Sequence, residues 1–501
     1  MVRNAAGNMT ARLVTLVATF LATPVLVHGL GPTDYGLWVL LASIAGYGWL
    51  LDLGIGSGVI KLVAEHSARG ELEAARRTVS SAFWLYTALG LLACLLGVLA
   101  GLMVGEVFRL PLDQRPMAGW LTVLMAASIA ISLAFSPITA ILRGLERFGE
   151  ANLITAGGLL AGLAANVLVV AAGGGLPALL ATGFGVTLVW QACGVWVLRR
   201  TAPDLAIRPR RPDRAAARRL LGFSGPVFAL QIAGRLQFET DVLVLAVFLP
   251  VSAVTPYALA QRLAGLASAA AEQFTRVILP VASRLSSQDA PEVLRSLYLF
   301  ATRLTLGLLM PPAVVLLTLG RPVLGLWVGP AFEGASDVLA ILTIAVVVDT
   351  CLWPAGYVLQ GMGRHRPLAV IALASGLANL ALSIVLVQVV GVVGVALGTL
   401  IPTSLEAGCF VIPLATRELG LRPGRLFREA FLPGLLPALP AWLVMSVAAA
   451  SLPPASPLVL LAIAAAGGVA YVAAYLALGA TQLERRLGLD LLRRLRPRAS
   501  G

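Results

Sequence analysis

The sequence contains a single lysine, Lys61, with three histidines and four cysteines in 501 residues, and only 12% of its residues are charged. Each shortage removes a class of function. The phosphate-cradling loop of nucleotide hydrolases needs Gly-Lys followed by Ser or Thr. The only lysine follows "GIGSGVI", so ATP is not hydrolysed by that route. Cys94, Cys193, Cys351 and Cys409 each stand alone in an apolar block, and His28, His66 and His365 are equally scattered. This pattern suggests neither a metal site nor a disulfide framework, and the cysteines read as small hydrophobes. No cofactor is expected.

What the sequence has in abundance is hydrocarbon. Hydrophobic residues make up 58% of the chain and the mean hydropathy is +0.90, whereas a soluble domain carries about 25% charged residues. The apolar residues fall in blocks of about 20, the length of a helix that crosses roughly 30 Å of hydrocarbon. Spans are predicted at 9–29, 36–60, 79–104, 118–142, 151–172 and 178–198, and again at 221–249, 255–282, 297–319, 336–360, 368–389 and 392–416. Two more, 431–452 and 456–479, complete the set. The fold class is all-α, a polytopic membrane protein with about 14 transmembrane helices.

Cationic loops resist translocation, so the arginines set the orientation. With both termini cytoplasmic, 29 of the 37 basic residues fall in cytoplasmic segments, and the outer loops hold only Arg109, Arg115 and Arg321. The net charge of +13 is therefore a matter of topology beside anionic lipid. "RPRRPDRAAARR" at 208–219 has no interleaved aromatic residues, and no nucleic acid is expected as a partner. The first apolar block reads as an uncleaved first helix, and "NMT" at 8–10 as a chance glycosylation pattern on the cytoplasmic side.

No outer loop exceeds about 16 residues, too little to hold an acceptor for a polymerase or glycosyltransferase acting on the outer face, so the chain is expected to be a transporter and not an enzyme. An internal repeat agrees, because transporters are commonly duplicated bundles. "LGPTDYGLWVL" (30–40) corresponds to "LPVSAVTPYALA" (249–260), and "SPITAILRGLERFGE" (136–150) to "WPAGYVLQGMGRHRP" (353–367). Pro137, Gly144 and Arg147 match Pro354, Gly361 and Arg364 at one offset. The domains are expected to be an N-terminal six-helix lobe at 1–198, a cytoplasmic Arg-rich connector at 199–220, a C-terminal six-helix lobe at 221–418, and two additional helices with a basic tail at 419–501.

From "LGPTDYGLWVLLASIAGYGWLLDLGIGSGVIKLVAE" through "RGLERFG", "FSGPVFALQI" and "LQGMGR" to "GVVGVALGT", the chain resembles the polysaccharide-exporting, O-antigen-type flippases of the superfamily that also contains multidrug and toxin extruders. The resemblance implies two six-helix lobes around a cavity that opens alternately to each side. It implies an undecaprenyl-diphosphate-linked oligosaccharide moved outward across a bacterial inner membrane, for O-antigen, capsule or exopolysaccharide. Its implied partners are that lipid-linked oligosaccharide, membrane lipids, and a polysaccharide polymerase and glycosyltransferases. The two extra C-terminal spans resemble those of peptidoglycan-precursor flippases. A multidrug or organic-cation antiporter of the same superfamily is the alternative, and a non-transporting scaffold a third reading.

Charges inside spans mark candidate sites, because a charge facing lipid costs several kcal/mol. On 255–282, with Arg262 as zero, Gln273 falls at about +20°, Arg276 at about −40° and Glu272 at about −80°. Arg262 and Arg276 are about 21 Å apart along such a helix, which suits a cavity-lining stripe. Ion pairing is the alternative, since Glu272 and Arg276, like Arg235 and Glu239, are spaced i, i+4. Arg12, Arg235, Arg262 and Arg276 are the candidates for a substrate-binding cavity. Arg12 and Arg262, the latter with no acid so spaced on its own helix, are the better candidates for the diphosphate, whose geometry suits guanidinium forks. Asp52 lies on a stripe of small residues with Ala45, Gly48 and Gly56 and is read as orienting Arg12. A structural salt bridge or a cation-binding carboxylate are its alternatives. Asp349 and Glu406 are further candidates for ion coupling. Arg303 and Asp241 complete the tally of charges inside spans.

Overall fold

Helices end or bend where glycine and proline interrupt the apolar blocks. The structure is a computed structural model that describes residues 2–207, 213–220, 240–288 and 290–479, with side chains from residue 14 onward apart from residue 49. No β-strand occurs among the described residues. Eleven of the described helices are long and apolar enough to cross a membrane, and the first of these, Val14–Asp52, holds the first expected span and the start of the second. Expected span 221–249 lies outside the described residues up to 239. Expected span 255–282 is broken in two, and it is not among the eleven. A total of fourteen is compatible with this count.

The chain divides into two compact units, residues 1–258 with 380–395 and residues 259–379 with 396–501. The first unit holds α1 (Val2–Gly48), α2 (Ile55–Ala68), α3 (Leu72–Val107), α4 (Arg115–Phe135), α5 (Pro137–Gly144), α6 (Phe148–Ala171), α7 (Leu176–Thr201) and α8 (Thr240–Phe248). Gly31, with φ 77° and ψ 167°, bends α1 just before Pro32, which offers no N–H to the ladder. The second expected span ends early. A 3₁₀ turn at Trp49–Asp52 leads into Leu53 (φ 50°) and Gly54 (φ 75°), and α2 begins afresh.

Inside a membrane, lipid is as apolar as leucine, so helices associate by close approach of small residues. That is how α3 meets α4. A Cβ at Gly90 would lie 2.7 Å from the Ala130 carbonyl, and one at Gly101 2.7 Å from the Gly119 carbonyl, an antiparallel register without room for larger residues. Leu102, Leu168 and Val189 are 76%, 69% and 69% exposed, which on a spanning helix means they face hydrocarbon. The described parts of the connector are anchored along α3. Arg76 Nε donates to the Asp204 carbonyl (2.8 Å), the Asp213 amide donates to Ser81 Oγ (3.0 Å), and Leu205 and Leu220 join the buried core.

The second unit takes most of α9 (Val254–Thr275), then α10 (Ile278–Ser287), α11 (Pro291–Val328), α12 (Ser336–Gly361), α13 (His365–Val390) as far as Asn379, and α14 (Val392–Leu405) from Ala396. A π-helical stretch, Glu406–Val411, precedes α15 (Ile412–Glu418), and α16 (Ala438–Ser451) and α17 (Pro457–Ala474) close the described chain apart from a π turn at Tyr475–Gly479. The central post is α11. In its most apolar stretch 61% of residues are buried, against 11% for α6. The last helices pack onto it. Met445 and Tyr471 share a buried cluster with Leu306, Met310 and Val314, and the Tyr471 hydroxyl donates to the Gly434 carbonyl at 2.6 Å.

Candidate functional site

The expected stripe begins on a regular helix and ends on a turn. α9 runs through Thr275, and Arg276 and Val277 then form the corner before α10. Arg262, Glu272 and Gln273 therefore keep their helical positions, and Arg276, whose N–H still donates to the Glu272 carbonyl (3.3 Å), is the last residue that the α9 ladder holds before the chain turns. Arg262 is half-buried and engaged by a neighbour. Arg276 Nη2 lies 2.6 Å from Glu272 Oε1, with the guanidinium side 57% exposed and the carboxylate 22%. The Tyr357 hydroxyl on α12 is within electrostatic reach of both. Gln273 Nε2 is buried without a hydrogen-bond partner among the described residues. A buried donor left open is costly, and it suits a site whose acceptor arrives with a ligand.

Asp52 ends the 3₁₀ turn, and the Tyr86 hydroxyl from α3 donates to its carboxylate. Gly56 makes the room: a Cβ there would sit 3.3 Å from the Tyr86 hydroxyl and 3.7 Å from Asp52 Oδ1. The other small residues of that stripe also do work, since a Cβ at Gly48 would lie 2.9 Å from Ile129 Cγ2. The backbone of Arg12 lies in α1, but its side chain lies outside the description, as do Arg235 and Glu239 altogether. A second buried pair repeats the arrangement. The Tyr257 hydroxyl donates to Asp241 Oδ2 at 2.5 Å, and both residues are almost fully buried.

Asp349 and Glu406 lie within electrostatic reach of one another in the second unit. Trp353 Nε1 donates to Asp349 Oδ2 (3.2 Å), and Glu406 is 8% exposed at the head of the π-helical stretch. Glu406 also lines a cavity of about 320 Å³ with Ala374, Ser375, Pro402 and Phe410. The buried Ser375 hydroxyl has no partner among the described residues. Nearby, Asn379 Nδ2 donates to Thr399 Oγ1 at 3.0 Å. Arg303 is different. It is 9% exposed, and its Nη1 donates to the Glu429 carbonyl at 3.0 Å, so it ties a helix turn inside the second unit. Among the described residues no three His, Cys, Asp or Glu side chains group as a metal site would require.

Tyr86, Tyr257, Ser375, Asn379 and Thr399 did not stand out in the sequence. The signal available was weak: isolated hydrogen-bonding side chains in otherwise apolar spans, whose partners lie on other helices.

The model of a family described as polysaccharide biosynthesis protein matches residues 25–337, more than half of the chain. Over 466 residues the chain is 23% identical to the uncharacterized membrane protein EpsK of Bacillus subtilis, with 88% of each chain covered. Over 384 residues it is 23% identical to the probable low-salt glycan biosynthesis flippase Agl15 of Haloferax volcanii, with 76% of each covered. Among solved structures, it shares its fold with the lipid II flippase MurJ in an inward closed conformation, at a TM-score of 0.72 and 15% identity over 98% of this chain and 100% of that one. An inward-facing multidrug resistance transporter of the MATE family matches with a TM-score of 0.69 and 17% identity over 82% and 98%.

Proposed function

The chain belongs to the polysaccharide biosynthesis protein family, and from that membership we infer that it is a flippase, which carries a lipid-linked oligosaccharide from the inner to the outer leaflet of a bacterial inner membrane. The observation that carries this reading is the family match over residues 25–337. The similarity over 76% of Agl15, a probable glycan biosynthesis flippase, supports it.

The chemistry of the cargo explains why such a protein is needed. A diphosphate has no stable place in hydrocarbon, whereas the isoprenoid tail has no reason to leave it. The protein therefore has to shield only the charged head and its sugars. In this reading Arg12, Arg235, Arg262 and Arg276 hold the undecaprenyl diphosphate through charge-assisted, forked hydrogen bonds. The open amide of Gln273 adds a donor on the same helix, one turn before Arg276. Glu239, Glu272 and Asp52 orient the arginines, and Asp349 with Glu406 couples an ion to the cycle. The two six-helix repeats, 1–198 and 221–418, alternate in access, with both termini cytoplasmic, and a polymerase and glycosyltransferases act before and after. No chemical bond of the cargo changes, so the activity is transport and not catalysis.

A deletion strain tests the reading. Lipid-linked oligosaccharide should accumulate on the cytoplasmic leaflet, measured by lipid extraction and a membrane-impermeant glycan reagent, with efflux of cationic dyes unchanged. The likeness to the MATE transporter favours an organic-cation antiporter as the second reading. Unchanged lipid intermediates with reduced dye efflux would establish that one instead.

A further inference from the structure

With both termini cytoplasmic, as proposed, three basic residues lie at the outer side, Arg115 and Arg321 on helices and Arg109 between α3 and α4, and two of the three are engaged by the protein. Arg115 Nε donates to the Leu110 carbonyl at 3.0 Å, and Arg321 Nε lies 2.9 Å from Glu333 Oε2. The third, Arg109, is exposed and has no side-chain hydrogen bond or ion pair among the described residues. The acids of the same turn, Glu106 and Asp113, make no ion pair with it.

Arg109 lines a cavity of about 400 Å³ at the end of α3 far from the connector, with Thr33, Gln114, Phe248 and Ser252 among the other walls. The Thr33 and Ser252 hydroxyls and the Gln114 amide also have no side-chain partners among the described residues. The walls are fixed. A Cβ at Gly36 would lie 2.4 Å from the Val251 carbonyl, Thr255 Oγ1 donates to the Pro32 carbonyl at 2.6 Å, and the Arg115 stem packs over Gly105. Arg109 itself has φ 49°, closing α3 through Arg109 N–H to Glu106 O (3.1 Å) and Leu110 N–H to Gly105 O (2.9 Å). That left-handed closing position normally falls to glycine. A long cationic side chain there, unpaired, points to a use for the side chain. Leu102, Val107 and Leu112 beside it are exposed, giving an apolar shoulder below a cationic pocket.

We propose that this cavity binds the phosphate of an anionic lipid headgroup at the outer surface of the bilayer. Arg109 holds the phosphate, the hydroxyls of Thr33 and Ser252 and the Gln114 amide complete the donors, and the lipid chains lie against the leucine shoulder. Two sources present this chemistry: an anionic phospholipid, and the diphosphate of an exported carrier lipid. The second source rests on the export reading and the first does not.

The test uses the full chain in maltoside detergent and follows phenylglyoxal modification of Arg109 by peptide mass spectrometry, with the paired Arg321 as internal reference. Phosphatidylglycerol or farnesyl diphosphate should slow modification of Arg109 about tenfold once tenfold above its Kd, with Arg321 unaffected and diacylglycerol inert. Protection by the phospholipid alone identifies a resident lipid, and protection by the diphosphate alone identifies the carrier. Protection by neither overturns the proposal. Arg109→Gly, which suits the left-handed position and should fold at least as well, should copurify with less phosphatidylglycerol than the parent. Where phosphatidylglycerol protects Arg109, equal retention by the variant would also overturn the proposal. Because the phospholipid arm is independent of glycan export, failure of the export reading leaves its result standing.

Discussion

Tyr86 and Asp52, 34 positions apart, are joined by a hydrogen bond from the phenol to the carboxylate. The bond fastens α3 to the turn that interrupts the second span, and it exists because Gly56 leaves both groups room. Tyr86→Phe removes the donor and leaves a partly buried carboxylate, which costs about 1–3 kcal/mol. Thermal unfolding in detergent should show the loss, with Asp52→Asn milder because an amide oxygen still accepts. An unchanged Tm for Tyr86→Phe would mean that the bond contributes nothing.

Asp52 is also proposed to orient Arg12. Reversing either charge alone should impair glycan export, and Asp52→Arg with Arg12→Asp should restore part of it, by the logic of a double-mutant cycle. Export assays in the complemented deletion strain decide. Two healthy single variants would eliminate the pairing.

Arg262 and Arg276 are proposed to grip the diphosphate from α9 and from the corner that follows it. Alanine at either should abolish export while protein abundance in the membrane stays near that of the parent, as read by immunoblot. Normal export in both variants would remove this helix from the transport path.

Asp349 and Glu406 lie within electrostatic reach of one another in the second unit and are proposed to couple an ion. Asp349→Asn and Glu406→Gln should preserve abundance and remove the response of export to an imposed sodium or proton gradient in inverted vesicles. A gradient response equal to that of the parent would rule the pair out.

Gly101 touches the backbone of α4, so Gly101→Leu must push the two helices apart. The loss of packing is expected to cost about 1–3 kcal/mol, as overpacking does elsewhere, and to lower Tm in detergent. Gly162, inside α6, beside which a Cβ would meet nothing within 4 Å, is the control: Gly162→Ala should hold or raise Tm, because alanine is the better helix former.

The spans were legible because the bilayer permits only one solution for a long apolar block, a helix with its backbone satisfied internally. The break at Gly31–Pro32 was legible for the same local reason. The corner at Arg276 was signalled only by Pro280, which offers no N–H to the carbonyl four positions back and crowds it, while the apolar periodicity of "EQFTRVILP" continues smoothly through the turn and hides it. Side-chain partners were the least legible. Asp52 was conspicuous as a carboxylate among glycines, but its donor sits on a different helix, and no spacing rule connects the two.

The packing of the last helices on α11 sets a schedule for biosynthesis. Met310 and its neighbours face their final partners only when Tyr471 emerges, roughly 160 residues and 10 to 30 s later at ordinary elongation rates. Through that interval the central post of the second unit is inserted but incomplete, with an open flank that lipid must fill. A ribosome that stalls or stops before the final hairpin therefore leaves a membrane-embedded chain with a lipid-wetted groove in place of its last interface, which gives quality-control proteases a defined feature by which to tell a nascent copy from a finished one.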